Sequence, residues 1–210
     1  GAALWLWAVL AQATGMSGVL FAAIAACLPI LVTGGIHMDG YLDTVDALSS
    51  HQTREKKLEI MKDANCGAFA VIYGGVYLLA YAGFAYEVFT AGHILLLCPL
   101  FVLSRALSGL CAVNLPNARK SGMLCAFTSG VQRRTATVAL TLVGLAAAAG
   151  MVWMSPMVGG MAAVLSIAST LAYRRFAMAQ FGGVTGDTSG FFLQLCELCG
   201  LIGVWIGGLL

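Results

Sequence analysis

The chain has 210 residues, of which 60% are hydrophobic and only 10% are charged, and its formal net charge is +2. Soluble domains carry roughly a quarter charged residues, whereas the mean hydropathy of this chain is +0.91. The composition therefore excludes an ordinary soluble domain and predicts an all-α, polytopic transmembrane helical bundle in a lipid bilayer. The small net charge and the lack of a basic tail argue against nucleic acid as a partner.

Apolar runs predict about seven membrane-spanning helices, which form a single domain over residues 1–210. The runs lie near Ala2–Ala13, Val19–Ile36, Gly67–Tyr86, His93–Val113, Thr135–Trp153, Met157–Tyr173 and Gly190–Leu210. The first run is short and the chain opens inside it, on Gly1, so we expect N-terminal sequence to be missing.

Charge alternates along the predicted loops. Lys and Arg cluster between spans two and three, between spans four and five, and after span six, whereas the turns between these clusters contain none. Because basic residues mark cytoplasmic loops, we predict that all three clusters lie on the cytoplasmic side of the membrane. They comprise Arg54, Lys56, Lys57 and Lys62, then Arg119, Lys120, Arg133 and Arg134, then Arg174 and Arg175.

Three aspartates, Asp39, Asp43 and Asp46, lie within eight residues where the second span ends. On a helix, spacings of four and three residues place these carboxylates on one face, within an arc of roughly 60°. Such close anions repel unless a cation lies between them, and hard oxygen ligands suit Mg²⁺ or Mn²⁺ better than zinc. We predict a metal site, with a solvated acidic loop as the alternative. His37 is either a ligand or base of this site, or a hydrogen-bonded interfacial histidine.

A second polar segment follows. The segment Arg54–Asp63 predicts a short amphipathic helix on the cytoplasmic surface, because it combines mixed charges with apolar residues at positions 58, 60 and 61. Lys62, Asp63 and Asn65 lie where the chain returns to the membrane. Ionisable residues at a membrane edge are functional hypotheses, and we treat these residues as such.

Two further features point to anion binding. Asp187 lies in a loop rich in glycine and hydroxyl residues before the last span, and such backbone entering a helix can present N–H groups to phosphate. The loop could equally well only join two helices. Arg105 lies inside the fourth span and needs an anionic partner, which a substrate phosphate or an aspartate would supply.

Together these segments resemble the adenosylcobinamide-GDP ribazoletransferase family, also called cobalamin-5'-phosphate synthase. The resemblance runs from about residue 31 to the C terminus, and Ala47 departs from it where the family usually has glycine. The matching elements are Gly-Gly-x-His-x-Asp-Gly-x-x-Asp-x-x-Asp at Gly34–Asp46, Met-Lys-Asp at Met61–Asp63, Gly-Ala-Phe at Gly67–Phe69, Gly-Gly-x-Thr-Gly-Asp at Gly182–Asp187, and two arginines, Arg105 and Arg119.

The resemblance implies transfer of the cobinamide phosphate of adenosylcobinamide-GDP to α-ribazole or α-ribazole 5'-phosphate, with release of GMP. The implied cofactor is Mg²⁺, or else Mn²⁺. The implied location is the cytoplasmic (inner) membrane of a prokaryote, with the active site at the cytoplasmic face. A homo-oligomer, or an association with other cobalamin-assembly enzymes, is left open.

The resemblance also assigns roles to residues. The implied metal ligands are Asp39, Asp43, Asp46, Asp63 and Asp187, of which the first four are also the predicted catalytic residues. By loose analogy with the last aspartate of CDP-alcohol enzymes, Asp46 is the candidate general base. The predicted substrate-binding residues are His37, Lys62, Asn65, Arg105, Arg119, Thr185 and Gly186, with Lys62 and Arg119 at the GDP moiety. The residues expected mainly to meet lipid headgroups are Arg54, Lys56, Lys57, Arg133, Arg134, Arg174 and Arg175.

Two other functions fit parts of the pattern. A CDP-alcohol phosphotransferase also gathers aspartates at a cytoplasmic membrane face, but its motif has an Ala-Arg pair where this chain has Thr44 and Val45. An ion-coupled transporter would suit Arg105, Glu197 and glycine-broken helices. A transporter would place its carboxylates near the midplane, whereas six of the nine acids here lie between residues 39 and 63.

Overall fold

The computed structural model of the chain describes residues 1–63, 65–119 and 122–210. These residues are almost entirely helical, and within them the only pairing of strand type is one isolated bridge between Asn117 and Val184. In chain order the helices are α1 (Ala2–Thr14), α2 (Gly18–Val32), α3 (Ile36–Ser49), α4 (Arg54–Ile60), α5 (Ala68–Thr90), α6 (Leu97–Asn114, after a 3₁₀ turn at Ile94–Leu96), α7 (Met123–Ser129), α8 (Arg133–Met154), α9 (Pro156–Phe181) and α10 (Gly186–Leu209).

The helices that could cross a membrane confirm the predicted all-α transmembrane bundle. Among the described residues, five helices are long and apolar enough, namely α5, α6 with its preceding turn, α8, α9 and α10, and the bent pair α2–α3 makes up to six. Helix α1 has 13 residues and is about 20 Å long at 1.5 Å per residue, which is short of a hydrocarbon layer of about 30 Å. The count is therefore lower than the seven spans predicted.

The second predicted span differs most from the structure. Helix α2 ends at Val32, and α3 leaves it at an angle of 94°. The break falls at Gly34 and Gly35, whose φ angles are 63° and 80°, a left-handed conformation that glycine adopts without a steric cost. The stretch predicted to carry the three aspartates on a helix is indeed α3.

Helix α10 lies at the centre of the bundle and packs against α9, α3, α6 and α5. Its glycines allow close approach of α9, since a Cβ at Gly203 would lie 2.6 Å from the Cα of Ala162, and one at Gly207 would lie 2.6 Å from that of Val158. Small residues at such crossings are typical of helix packing in lipid, where dispersion contacts replace the hydrophobic effect.

The amphipathic helix predicted after the aspartates is α4, which Thr53 caps at its N terminus. Its basic residues reach the C-terminal end of α9: Arg54 Nε donates to the Ala179 carbonyl (3.1 Å) and Lys57 Nζ to Gln180 Oε1 (2.6 Å). Lys57 is buried. The prediction that it meets lipid headgroups is therefore wrong. Donors at a helix C terminus satisfy carbonyls that lack intrahelical partners.

Candidate functional site

The core of the candidate site is the contact between α3 and the first turns of α10. A Cβ at Gly40 would lie 2.7 Å from the Asp187 carbonyl oxygen, and one at Gly190 would lie 2.9 Å from the His37 carbonyl oxygen. These two contacts run in opposite chain directions, so the helices are antiparallel and their backbones touch. Asp187 consequently lies beside the aspartate face of α3.

Asp43 is half-buried on that face and is surrounded by charged side chains. Its carboxyl group is repelled by the carboxylates of Asp39, Asp187 and Asp46, and is attracted by the guanidinium of Arg119. Asp39 is exposed and also acts on Asp187. The structure thus brings Asp39, Asp43 and Asp187 together, as the sequence predicted.

Arg119 reaches this cluster from the segment after α6. Its Nη1 donates to Asp187 Oδ2 at 2.8 Å, and its Nη2 donates to the Leu58 carbonyl oxygen at 3.1 Å. The Nε–H is buried without a hydrogen-bond partner among the described residues. Arg119 therefore joins the α4 and α10 segments, and its buried Nε–H stays without an acceptor among the described residues.

A backbone clamp holds Arg119 in place. Val184 N donates to the Pro116 carbonyl (2.9 Å), and Ala118 N donates to the Val184 carbonyl (2.9 Å). Gly183 is required at this clamp, because a Cβ there would lie 2.3 Å from the Pro116 oxygen. The glycine-rich segment before α10 thus serves first to dock the Arg119 segment.

The N terminus of α10 borders a small cavity of about 70 Å³, next to Arg119 and Asn117. Gly186 is exposed there, whereas Thr185 is buried and its hydroxyl accepts the N–H of Thr188 at 3.1 Å as a helix cap. Because the Thr185 hydroxyl is already engaged, its predicted contact with substrate has no structural support. Asn117 also lines this cavity, and the sequence did not point to it, since nothing in the sequence indicates the backbone clamp that places it there.

The carboxylate of Asp46 is bound to the start of α5. Its Oδ2 accepts the backbone N–H of Gly67, and its Oδ1 accepts that of Ala70 at 2.9 Å. Both carboxylate oxygens of the proposed base therefore already hold hydrogen bonds.

Lys62, Asp63 and Asn65 are exposed at the start of the segment before α5. Asp63 Oδ1 accepts the backbone N–H of Asn65 (3.0 Å) and its side-chain N–H (2.8 Å), and these bonds hold the pKa of Asp63 below its ordinary value. Within the described part of the chain, Asp63 is not among the charges that act on Asp43. Its predicted role at the metal stays a prediction, without a contact to support it.

Arg105 has its anionic partner inside the bundle. Its Nη1 donates to Glu197 Oε1 and to Ser104 Oγ (3.0 Å), and Ser104 Oγ donates to the same Glu197 oxygen (3.1 Å). The Glu197 side chain is 3% exposed and that of Arg105 is 38% exposed. Neither a substrate phosphate nor an aspartate is needed to neutralise Arg105, so its predicted phosphate contact stays a prediction.

The oxygen donors of the site fit a magnesium ion that is completed by substrate. Across residues 1–63, 65–119 and 122–210, no three His, Cys, Asp or Glu side chains are arranged to hold a metal ion. Mg²⁺ is usually held by one or two carboxylates plus substrate phosphates and water. Asp39 and Asp43, four residues apart on one helix face, meet that requirement with Asp187 beside them.

Comparison with known proteins identifies relatives along almost the whole chain. Residues 1–205 match the family model described as cobalamin-5-phosphate synthase. A Lachnoclostridium phytofermentans protein named adenosylcobinamide-GDP ribazoletransferase is 40% identical over 87% of this chain and 70% of its own length. Proteins of the same name from Azorhizobium caulinodans (33% identical, 93% of this chain, 75% of the relative) and Stutzerimonas stutzeri (34%, 97% and 81%) are also similar. No solved structure matches.

Proposed function

Since the chain belongs to the cobalamin-5-phosphate synthase family, we propose that it is an adenosylcobinamide-GDP ribazoletransferase. It transfers the cobinamide phosphate of adenosylcobinamide-GDP to α-ribazole or α-ribazole 5'-phosphate. The observation that carries the proposal is the family match over residues 1–205, together with the name that its relatives share. That match favours this function over a CDP-alcohol phosphotransferase and over a transporter.

The reaction joins an alcohol to a diphosphate. A hydroxyl oxygen of α-ribazole forms a bond to the cobinamide-side phosphorus, the bond from that phosphorus to the GMP oxygen breaks, and GMP leaves with the electron pair. The hydroxyl proton passes to a carboxylate of the site, a step of general-base catalysis. Negative charge builds on the transferred phosphoryl group and on the leaving GMP, so the site must supply compensating positive charge.

The cofactor in this proposal is Mg²⁺, with Mn²⁺ as the substitute, held by Asp39 and Asp43 with Asp187 beside them and completed by substrate oxygens. The ion would neutralise charge on the transferred phosphoryl group and on the leaving group. The supporting observation is the mutual repulsion of these three carboxylates around Asp43, which a divalent cation would relieve.

Arg119 supplies the second positive charge. Its Nη1 is paired with Asp187, and its buried Nε–H has no partner among the described residues. A phosphate oxygen of the GDP moiety is the acceptor that we assign to this donor, because a guanidinium binds phosphate through two donors at once. Gly186, exposed at the adjacent helix N terminus, can present backbone N–H groups to the same anion.

We also propose that the protein resides in a prokaryotic cytoplasmic membrane, with this site at the cytoplasmic face. The support is the distribution of Lys and Arg, which cluster in and just after α4, between the end of α6 and the start of α8, and near the end of α9, as positive charge does in cytoplasmic loops. Adenosylcobinamide-GDP would then reach the site from the cytoplasm.

The test is a substrate comparison with the purified protein. Adenosylcobinamide-GDP, α-ribazole and Mg²⁺ should yield GMP and the joined corrinoid, chelation of the metal should stop the reaction, and Mn²⁺ should restore it. CDP-diacylglycerol with an alcohol acceptor is the matched alternative and should give no CMP. Release of CMP without release of GMP would contradict the proposal.

A further inference from the structure

Helix α5 begins without a side chain of its own to cap it. Its N-cap residue is Gly67, whose φ of −80° and ψ of 165° are those of an N-cap, but no cap hydrogen bond comes from that residue. The first backbone N–H groups of a helix have no intrahelical acceptors, and Ala70 at the third helical position is buried. An N-cap Ser, Thr or Asp would normally accept that N–H.

Asp46 supplies the missing acceptor from another helix. Its Oδ1 accepts the Ala70 N–H at 2.9 Å, which is the bond an N-cap side chain would make, and its Oδ2 accepts the N–H of Gly67 itself. A Cβ at Gly67 would lie 2.7 Å from Oδ1 and 2.8 Å from Oδ2. The carboxylate therefore occupies the space that a local capping side chain would need.

We infer that Asp46 is a positioning residue, which caps α5 and thereby fixes the C-terminal end of α3, rather than a metal ligand or the general base. The carboxylate lies where the partial positive charge of a helix N terminus stabilises an anion. Binding a proton would weaken one of its two hydrogen bonds. By tying α3 to α5 near Asp46, the cap holds the preceding turns, and with them Asp39 and Asp43, against the start of α10.

The cap itself can be tested without any assay of the reaction. In the detergent-purified full chain, Asp46→Ala should make the amides at the start of α5 exchange with deuterium roughly fivefold faster, as expected for the loss of one N-cap. Asp46→Ala/Gly67→Ser places a capping hydroxyl in the vacated space and should return exchange to the wild-type rate. Asp46→Ala/Gly67→Ala is the matched control, since it fills the same space without a hydroxyl. Unchanged exchange in Asp46→Ala would overturn the cap.

Turnover then separates positioning from chemistry, and this part rests on the proposed function. Asp46→Asn keeps the shape and one carbonyl acceptor, so it should lose less than about tenfold in turnover, the effect of weakening a single cap, with the Mg²⁺ requirement unchanged. Asp46→Ala/Gly67→Ser should regain most of the activity lost in Asp46→Ala. If the double variant recovers slow exchange but not turnover, the carboxylate itself is needed and the inference fails. A wild-type protein without transferase activity would contradict only the proposed function.

Discussion

At the scale of single residues, Asp43 is the group on which the proposed chemistry depends most. It is half-buried, whereas Asp39 is exposed, and the charges of Asp39, Asp187 and Arg119 all act on it. A buried anion among like charges is unfavourable unless a cation compensates it. Asp43 therefore lowers the stability of the fold, which is consistent with a role in binding a ligand.

Asp43→Asn should therefore abolish most of the activity. The amide keeps the shape of the side chain but removes the charge, and losing one electrostatic contact to a transition state costs roughly 10²–10³ in rate. Steady-state turnover at saturating Mg²⁺ measures the effect, and the thermal unfolding midpoint should not fall. The control is Glu59→Gln, because Glu59 only pairs with Lys56 on the surface. Similar activities of the two variants would remove Asp43 from the site.

Arg119→Lys should weaken the binding of adenosylcobinamide-GDP by about tenfold or more, since an ammonium cannot bridge two acceptors in fixed geometry as a guanidinium does. In the structure the two acceptors are Asp187 and the Leu58 carbonyl. The measurement is KM for adenosylcobinamide-GDP, compared with KM for α-ribazole, which should change little. Arg174→Lys is the control, because Arg174 is exposed. An equal rise of both KM values would count against a role at the GDP moiety.

At the scale of helices, the contact between α3 and α10 brings the site together, and Gly40 permits it. A Cβ there would lie 2.8 Å from the Cα of Asp187 and 2.7 Å from its carbonyl oxygen. Backbone atoms cannot move aside as a side chain can, so the helices must separate.

Gly40→Ala should accordingly lower both turnover and stability, although alanine is the better helix former by roughly 0.5–1 kcal/mol. Gly75→Ala on α5 is the matched control, because Gly75 is exposed and a Cβ there would meet no atom within 4 Å. Thermal unfolding and turnover of the two variants decide the matter. A Gly40→Ala protein as active as Gly75→Ala would mean that the close approach of α3 and α10 is not required.

The Arg105–Glu197 pair joins α6 to α10, and its loss should destabilise the bundle rather than stop the chemistry. Glu197→Gln leaves a guanidinium uncompensated, and we expect a loss of about 2 kcal/mol, below the roughly 3–5 kcal/mol for a fully buried pair, because the Arg105 side chain is 38% exposed. The unfolding free energy in detergent measures this loss. Normal stability with a raised KM for either substrate would instead assign Arg105 to substrate binding, as the sequence predicted.

The sequence predicted the helices well but not which side chains pair between different helices, and the reason is physical. Apolar runs of membrane-crossing length and the spacing of Asp39, Asp43 and Asp46 are local patterns, and both predictions hold in α3 and in the spanning helices. The partner of Arg105 lies 92 residues away, and the cap that Asp46 gives α5 depends on a contact between two helices. Such pairings depend on how the helices pack against one another, and the periodicity of residues along the sequence gives no information about that packing.

At the scale of the whole molecule, the bent pair α2–α3 explains how an apolar bundle exposes a polar site. The 94° turn directs α3 along α10, so that Gly40 of α3 lies at the start of α10 and Asp46 in its last turn lies at the start of α5. The positive ends of two helix dipoles therefore border the aspartates. Arg119 adds a further positive charge at the same end of the bundle.

We propose that adenosylcobinamide-GDP and α-ribazole are joined at this end of the bundle. The most direct measurement incubates the purified protein in lipid nanodiscs with both substrates and Mg²⁺, and quantifies GMP and the joined corrinoid by mass spectrometry. We expect equal molar amounts of the two products from the wild-type chain, and neither product from the Asp39→Asn/Asp43→Asn double variant. GMP formed without the joined corrinoid, or equal product from the double variant, would contradict it.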